Sequence, residues 1–255
     1  MEDIINQIVH GDCLEVMKDI PDKSVDMILC DLPYGVTARN KWDVIIPFEP
    51  LWDHYKRIAK AGCSIVLTAT EPFSSKIVMS NLKNYRHKWI WNKNNSAGFA
   101  NANKQPFQIC EDILVFGFGK VNYYPIMEQR GEPRKKGGYS TSTNYFIDPS
   151  KASKKKNNLY HPKNLLLFSN ANQKGKVHPT QKPVALFEYL IKTYTNENET
   201  ILDNCIGSGT TAIAAINTNR NFIGIEKDEA YHKLATERVK NHQKTKNETL
   251  ANTTS

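Results

Sequence analysis

The sequence predicts an α/β fold built around a mainly parallel β-sheet. Short runs of β-branched and aromatic residues alternate with segments of helical periodicity, as expected when crossover helices cover both faces of a sheet. Several helical segments have a proline near their start, a position that suits the first helical turn. The chain has 255 residues, of which 40% are hydrophobic, which is enough for one substantial core.

The predicted strands are short apolar runs that lie between the helical segments. The strands cover residues 7–10, 25–30, 64–69, 88–91, 113–118, 200–202 and 221–225. The predicted helices carry apolar residues at intervals of three and four. The helices cover residues 14–19, 50–60, 72–82, 184–194, 210–217 and 229–241.

Residues 119–176 break this alternation with Gly, Lys, Ser, Asn and Tyr. From Lys120 to Lys176, twelve Lys or Arg stand against three acidic residues, a net charge of +9, while the whole chain carries +8. Such a concentration of charge fits a polyanionic partner, although a solvated lysine-rich loop is the alternative. The predicted organisation is a first half (1–118), a basic insert (119–176), a second half (177–240) and a disordered polar tail (241–255).

Composition excludes several other classes. No apolar run approaches the roughly 18 residues of a membrane span, and the first residues contain no signal-peptide core. We therefore expect a soluble, cytoplasmic protein. The five cysteines have no paired spacing, and the seven histidines show no ligand pattern, so we expect reduced thiols and no metal site.

The first chemical motif follows the strand at residues 25–30. This strand runs into Asp31, Leu32, Pro33 and Tyr34, at the strand end where open α/β sheets place ligands. Pro33 restrains Leu32 to an extended backbone, which can turn its carbonyl outward as an acceptor. A planar amino group would fit between Asp31 and that carbonyl, with an unpaired base stacked on Tyr34. A polar turn is the alternative interpretation.

The second motif is a glycine-rich turn between a strand and a helix. It runs from Asp203 to Thr210, and glycines there let the backbone approach a ligand closely. A second strand ends at Glu226, where a carboxylate can hold both hydroxyls of a ribose. Because the turn has neither a third glycine nor a Gly-Lys-Ser/Thr ending, a nucleoside ligand without pyrophosphate fits best. A purely structural turn is the alternative.

The third motif, His-Pro-Thr-Gln-Lys-Pro, occupies residues 178–183 just before a predicted helix. Thr180 could cap that helix. Lys182 could instead meet a carboxylate ligand near the helix N-terminus.

Together these motifs resemble the beta group of amino-methyltransferases, over residues 8–239. In that family an Asp-Pro-Pro-Tyr motif comes first, then a target-recognition region, then the cofactor-binding Gly-x-Gly. The resemblance implies a circularly permuted, Rossmann-like methyltransferase fold that binds S-adenosyl-L-methionine. Leu32 stands where the family has Pro, and Asn204-Cys205 stands where it has Pro-Phe.

The resemblance also implies which residues act. The catalytic set is Asp31, Leu32, Pro33 and Tyr34. The cofactor set adds neighbours of the strand ends and of the glycine-rich turn. That set is Asp12, Cys13, Asp31, Thr180, Lys182, Asp203, Cys205, Gly207, Ser208, Gly209, Thr210, Glu226 and Lys227.

The activity implied is transfer of a methyl group to adenine N6 in double-stranded DNA, because Asp rather than Ser begins the first motif. Cytosine N4 methylation and a non-catalytic DNA-binding subunit of the same fold are the alternatives. Carbon-5 cytosine methylation is disfavoured because no cysteine follows a proline. A second copy of the chain and a cognate restriction nuclease are further candidate partners.

Overall fold

The computed structural model describes residues 4–35, 43–97, 99, 102–134, 157–170 and 181–253. The chain forms two compact units. One comprises residues 1–124 together with 164–255, and the other comprises residues 125–163.

The strands are named in chain order. They are β1 (Gln7–His10), β2 (Val25–Cys30), β3 (Ala59–Ala69), β4 (Tyr85–Ala97), β5 (Gln108–Phe116), β6 (Glu128–Arg134), β7 (Asn157–Tyr160), β8 (Leu165–Leu167), β9 (Thr200–Asp203) and β10 (Asn221–Glu226). The α-helices are α1 (Cys13–Val16), α2 (Phe48–Ile58), α3 (Phe73–Ser80), α4 (Val184–Tyr194), α5 (Thr210–Asn217) and α6 (Glu229–Thr253). Two 3₁₀ turns, Met17–Asp19 and Leu82–Asn84, complete the described elements.

The larger unit contains an eight-stranded sheet of order β1-β10-β9-β2-β3-β5-β4-β8. Neighbouring strands are parallel except where β5 pairs antiparallel with β3 and β4. This confirms the predicted α/β class with a mainly parallel sheet. The first strand of the chain pairs with β10, in a register that sets His10 opposite Glu226, as the permuted order implied.

Both faces of this sheet are buried, because successive side chains of a strand point to opposite faces. In β2, Ile28 and Cys30 belong to the core that includes residues of α1, α2 and α3, whereas Met27 and Leu29 belong to the core that includes residues of α4 and α5. Around β2 the sheet therefore lies between two helical layers, so a ligand at this strand would bind at its end.

Every predicted strand and helix of the sheet unit is present, but several bounds differ. Residues 59–60 open β3 instead of ending α2, and β4 extends beyond the predicted residues 88–91 to Ala97. The predicted disordered tail is wrong, because α6 runs on to Thr253. Lys246 near its end donates from Nζ to the Ile216 carbonyl at 2.6 Å, and polar residues such as Lys and Glu are good helix formers.

In the residues that the structure describes, the region predicted as an irregular insert contains three strands. In the smaller unit, β6 and β7 form an antiparallel pair in which Glu128 lies opposite Tyr160, and the Arg130 guanidinium lies 5.6 Å from the Tyr160 ring centre. The strand β8 joins the large sheet beside β4 and buries only Leu166. The seven residues of β6 include Gly and Pro and no β-branched or aromatic residue, and β7 and β8 are only four and three residues long, so none of the three shows the apolar alternation that predicts a strand. None of the described helices has the length and apolarity needed to cross a membrane.

Candidate active site

Four acidic residues lie at the carboxyl ends of four adjacent strands. Glu226 ends β10 and Asp203 ends β9, while Asp31 follows β2 directly and Asp12 follows β1 by two residues. Since β1, β10, β9 and β2 are neighbours and run parallel, their carboxyl ends meet at one edge of the sheet. Sequence motifs that are far apart in the chain are thus brought to one edge, where ligands bind in folds of this class.

Both carboxylate oxygens of Asp31 are hydrogen-bonded. Oδ1 accepts from the Tyr34 hydroxyl at 2.7 Å and also from the Thr68 hydroxyl. Oδ2 accepts from Lys182 Nζ at 2.7 Å. The first and third sequence motifs therefore meet at the Asp31 carboxylate, which keeps a quarter of its side chain exposed.

Lys182 is the buried cation of this corner. Its side chain is 8% exposed, and Nζ lies 2.7 Å from Asp31 Oδ2 and 3.5 Å from Glu111 Oε2. Burial on its own lowers the pKa of Lys182, but Asp31 and Glu111 together outweigh it, and the pKa of Lys182 is raised. The ammonium therefore stays charged inside the protein, because two carboxylates compensate its lost hydration.

Glu111 and Lys93 were not found by sequence reasoning. Lys93 Nζ lies 3.0 Å from Glu111 Oε1, and both side chains are nearly buried, at 11% and 13% exposure. Lys93 lies in β4 and Glu111 in β5, which place them next to each other across the antiparallel pair. The sequence offered no clear signal for this pair, because both strands carry other charged residues, such as Lys88 and Asp112, and the pattern does not tell which of them are buried.

The other residues of the first motif surround Asp31. Leu32 is buried at 4% exposure, and the Tyr34 ring lies 5.1 Å from the Phe73 ring at an angle of 31°. Loss of hydration and the nearby Asp31 carboxylate raise the pKa of Tyr34 well above its ordinary value. Tyr34 therefore remains a neutral phenol that can donate to Asp31. The Phe99 ring is 69% exposed and lies 5.0 Å from the Phe107 ring.

The glycine-rich turn has the backbone that its glycines require. Gly207 and Gly209 have φ angles of +52° and +79°, which disfavour other residues. A Cβ on Gly209 would lie 3.4 Å from Ala235 and Val239 of α6, and Arg238 of the same helix donates to the Ser208 carbonyl at 2.7 Å. The turn is thus held from behind by α6.

Asp203 anchors the start of this turn. Its carboxylate accepts from the Cys205 amide at 3.1 Å and from the Thr211 hydroxyl. Burial raises the pKa of Asp203 to about 7 despite these bonds. The thiols of Cys13, Cys30 and Cys205 interact with one another beside Asp203, and none of the three forms a disulfide.

Glu226 connects the turn to the next strand. Oε2 accepts from the Gly207 amide at 2.8 Å, and Oε1 accepts from the Asp228 amide at 2.9 Å. Asp12 caps α1 through the Leu14 amide and pairs with the exposed Lys227 at 3.0 Å. The hydrogen bond from Lys227 is the main cause that lowers the pKa of Asp12.

The structure therefore gathers nearly all the residues singled out in the sequence along one sheet edge. Ser208 and Thr210 lie in the glycine-rich turn and are buried. Thr180 lies outside the described residues. The described helix α4 begins after Pro183 and has no side-chain cap. Within the described ranges, no cluster of three His, Cys, Asp or Glu could hold a metal ion.

Comparisons with known proteins identify relatives of this chain. A family model described as DNA methylase matches residues 25–237. The chain is 29% identical over 246 residues to the DNA adenine methyltransferase YhdJ of Escherichia coli strain K12, covering 91% of this chain and 82% of that protein. It is 27% identical over 271 residues to the type II methyltransferase M.HinfI of Haemophilus influenzae, covering 94% and 70%.

Two solved structures share the fold. The complex of M1.HpyAVI with SAM superposes with a TM-score of 0.62 at 26% identity, covering 91% of this chain and 98% of that one. The cytosine-N4-specific PvuII DNA methyltransferase superposes with a TM-score of 0.66 at 16% identity, covering 92% and 90%.

Proposed function

This chain belongs to the family of DNA amino-methyltransferases, and we propose that it transfers the methyl group of S-adenosyl-L-methionine to adenine N6 in DNA. The observation that carries the proposal is the position of Asp31. Its carboxylate lies at the end of β2, next to the strands that end at Asp203 and Glu226, and is held by Lys182 at 2.7 Å.

The residues at the sheet edge fit the cofactor. Each Glu226 oxygen accepts one backbone amide, and since a carboxylate oxygen has two lone-pair sites, both oxygens can still accept a ribose hydroxyl. At Gly207 an added Cβ would meet no atom closer than 3.9 Å, so the turn leaves room for a ligand against its backbone. We assign Asp12, Asp203 and Glu226, with the turn from Cys205 to Thr210, to the nucleoside side of the cofactor.

When bound, S-adenosylmethionine supplies an electrophilic methyl group. Asp31 and the Leu32 carbonyl accept hydrogen bonds from the amino group of the target base, which favours attack by its nitrogen and stabilises the positive charge that develops there. Tyr34 supports the base plane. Pro33 fixes the backbone that carries the Leu32 carbonyl, so most of the catalysis comes from positioning.

Adenine is preferred over cytosine because Asp, rather than Ser, begins the catalytic motif. Both bases present an exocyclic amino group with similar donors, so the pocket geometry that accepts one could hold the other. The named similarity to an adenine methyltransferase supports adenine, and cytosine N4 is the outcome that would correct this part of the proposal.

Double-stranded DNA is the proposed partner, and the basic segment 119–176 is the proposed contact for its phosphates. A base must leave the duplex to reach a buried carboxylate, at a cost of a few kcal/mol that phosphate contacts and stacking on Tyr34 would offset. Binding of a second copy of the chain and of a cognate restriction nuclease stays a prediction.

The test is incubation of the purified chain with unmodified DNA and S-adenosylmethionine labelled in its methyl group, followed by digestion and identification of the labelled nucleoside. We expect labelled N6-methyladenine at a fixed sequence. Label in N4-methylcytosine would change the base, and label in RNA or protein without DNA would reject the substrate class.

A further inference from the structure

The Asp31 carboxylate belongs to a chain of four charged groups that alternate in sign. Lys93 pairs with Glu111 at 3.0 Å, Glu111 faces Lys182 at 3.5 Å, and Lys182 pairs with Asp31 at 2.7 Å. No side chain of the four is more than 25% exposed. The groups come from β4, β5, the residue before Pro183 and the end of β2, so four separate segments build one neutral cluster.

The two carboxylates differ in how fully they are hydrogen-bonded. Asp31 Oδ1 already receives two hydroxyl donors, and Oδ2 receives Lys182. Glu111 Oε2 is buried, and among the described residues nothing donates a hydrogen bond to it. The 3.5 Å to Lys182 Nζ is an ion-pair distance, longer than a good hydrogen bond. The Lys182 ammonium therefore has a second buried carboxylate oxygen 3.5 Å away, to which no described group donates a hydrogen bond.

We propose that Glu111 is a positioning residue that receives the Lys182 ammonium when Asp31 takes up the amino group of the target base. The inference rests on the proposed function, because it requires an amino group at Asp31. A movement of less than about 1 Å brings Nζ to hydrogen-bond distance from Glu111 Oε2 and frees Asp31 Oδ2. The ammonium has to be received by another anion, since a buried cation without a partner is strongly destabilising.

Lys93 completes this arrangement. Its ion pair compensates the lost hydration of the second buried carboxylate, in either position of the Lys182 ammonium. The cluster stays neutral in both positions. The positive charge that develops on the target nitrogen then meets a freed Asp31 oxygen, and the Lys182 charge is turned away from it.

The test compares Glu111→Gln with Asp112→Asn. Asp112 is the next residue of β5, points to the opposite face and pairs with Lys88 at 2.9 Å. For Glu111→Gln we expect kcat at saturating substrates to fall roughly 10- to 100-fold, as for a misplaced reacting group. The dissociation constant for S-adenosylmethionine, measured by calorimetry, should change less than about threefold. Asp112→Asn should keep wild-type values of both.

A pH profile separates positioning from a structural role. Loss of the Glu111 charge lowers the pKa of Lys182, so the alkaline limb of kcat should move to lower pH in Glu111→Gln. The double variant Lys93→Met with Glu111→Gln removes both members of the ion pair, so Lys93 is not left as a buried cation without a partner. We expect its thermal unfolding to be near wild type, with the low kcat and the displaced limb retained.

Wild-type kcat in either variant, or a low kcat with an unmoved alkaline limb, would overturn the role of Glu111. Activity is read on whichever base the wild-type chain methylates. A base other than adenine therefore revises the proposed function and leaves the comparison of variants valid.

Discussion

The two ends of the candidate site are assembled in different ways. On the cofactor side, each carboxylate accepts the backbone amide of the residue two places later: Asp12 from Leu14, Asp203 from Cys205, and Glu226 from Asp228. On the catalytic side, Asp31 accepts from three side chains, those of Tyr34, Thr68 and Lys182, and the last two are 37 and 151 residues away.

The two kinds of contact differ in how much of the fold they need. A local contact forms with its own turn and shapes a binding surface, whereas a contact between distant segments depends on the whole sheet being in place. The cofactor side should therefore control affinity, and the catalytic side should control turnover. The following substitutions test this division.

Replacing Asp31 with Ala should have the largest effect. It removes the acceptor at the target amino group, and loss of one preorganised electrostatic group costs roughly 10²- to 10³-fold in kcat. The S-adenosylmethionine dissociation constant, measured by calorimetry, should stay within about threefold of wild type. Asp22→Ala, at an exposed ion pair with Arg57, serves as the control. Full methyl transfer by Asp31→Ala would refute the assigned active site.

Replacing Glu226 with Gln should produce the opposite pattern. The neutral amide weakens charge-assisted bonds to ribose hydroxyls, so we expect the cofactor dissociation constant to rise roughly 10- to 100-fold. At saturating cofactor, kcat should remain within about threefold. Glu229→Gln, at an exposed pair with Lys233, is the matched control. A fall in kcat of Glu226→Gln with an unchanged cofactor dissociation constant would contradict the proposal that the cofactor side controls affinity.

Asp203 makes the cofactor side sensitive to pH. Because burial raises its pKa to about 7, the folded protein keeps this proton where the unfolded chain releases it near 3.8, so wild-type stability falls as the pH rises between roughly 4 and 7. Asn at position 203 cannot titrate. Between pH 5 and 8, the unfolding free energy of Asp203→Asn should gain on the order of 2 kcal/mol relative to wild type. The unfolding free energies of both proteins are measured by denaturant titration. A difference between them that stays constant from pH 5 to 8 would contradict the raised pKa of Asp203.

The ion pair between Lys227 and Asp12 should matter least. Its side chains are 78% and 42% exposed, and solvent-exposed pairs contribute roughly 0–1 kcal/mol. We expect Lys227→Ala to shift the melting temperature by no more than about 2–4 °C and the cofactor dissociation constant by less than about fivefold. A larger loss of affinity would mean that Lys227 binds the cofactor directly and belongs to the cofactor side of the site.

The sequence predicts features that lie within one segment, and it does not predict contacts between distant segments. The strand β2, the helices α4 and α5, the first motif and the glycine-rich turn lie in contiguous segments, and their periodicity and spacing identify them. Glu111 and Lys93 could not be assigned, because their meaning depends on the pairing of β4 with β5 and on the approach of Lys182 from a distant segment. The long extent of α6 was missed because polar helices lack an apolar stripe.

The strand order has a consequence for how the chain acquires this site during synthesis. The strands β2 to β5 leave the ribosome early and can pair among themselves, but the free edge of β2 waits for β9, and β1 waits for β10. Pairings over such sequence separations form slowly, and an open apolar edge promotes aggregation. Asp31 and Tyr34 are therefore translated long before Lys182 and the strands β9 and β10, and until these segments dock the nascent chain exposes an unpaired strand edge of the kind that chaperones protect.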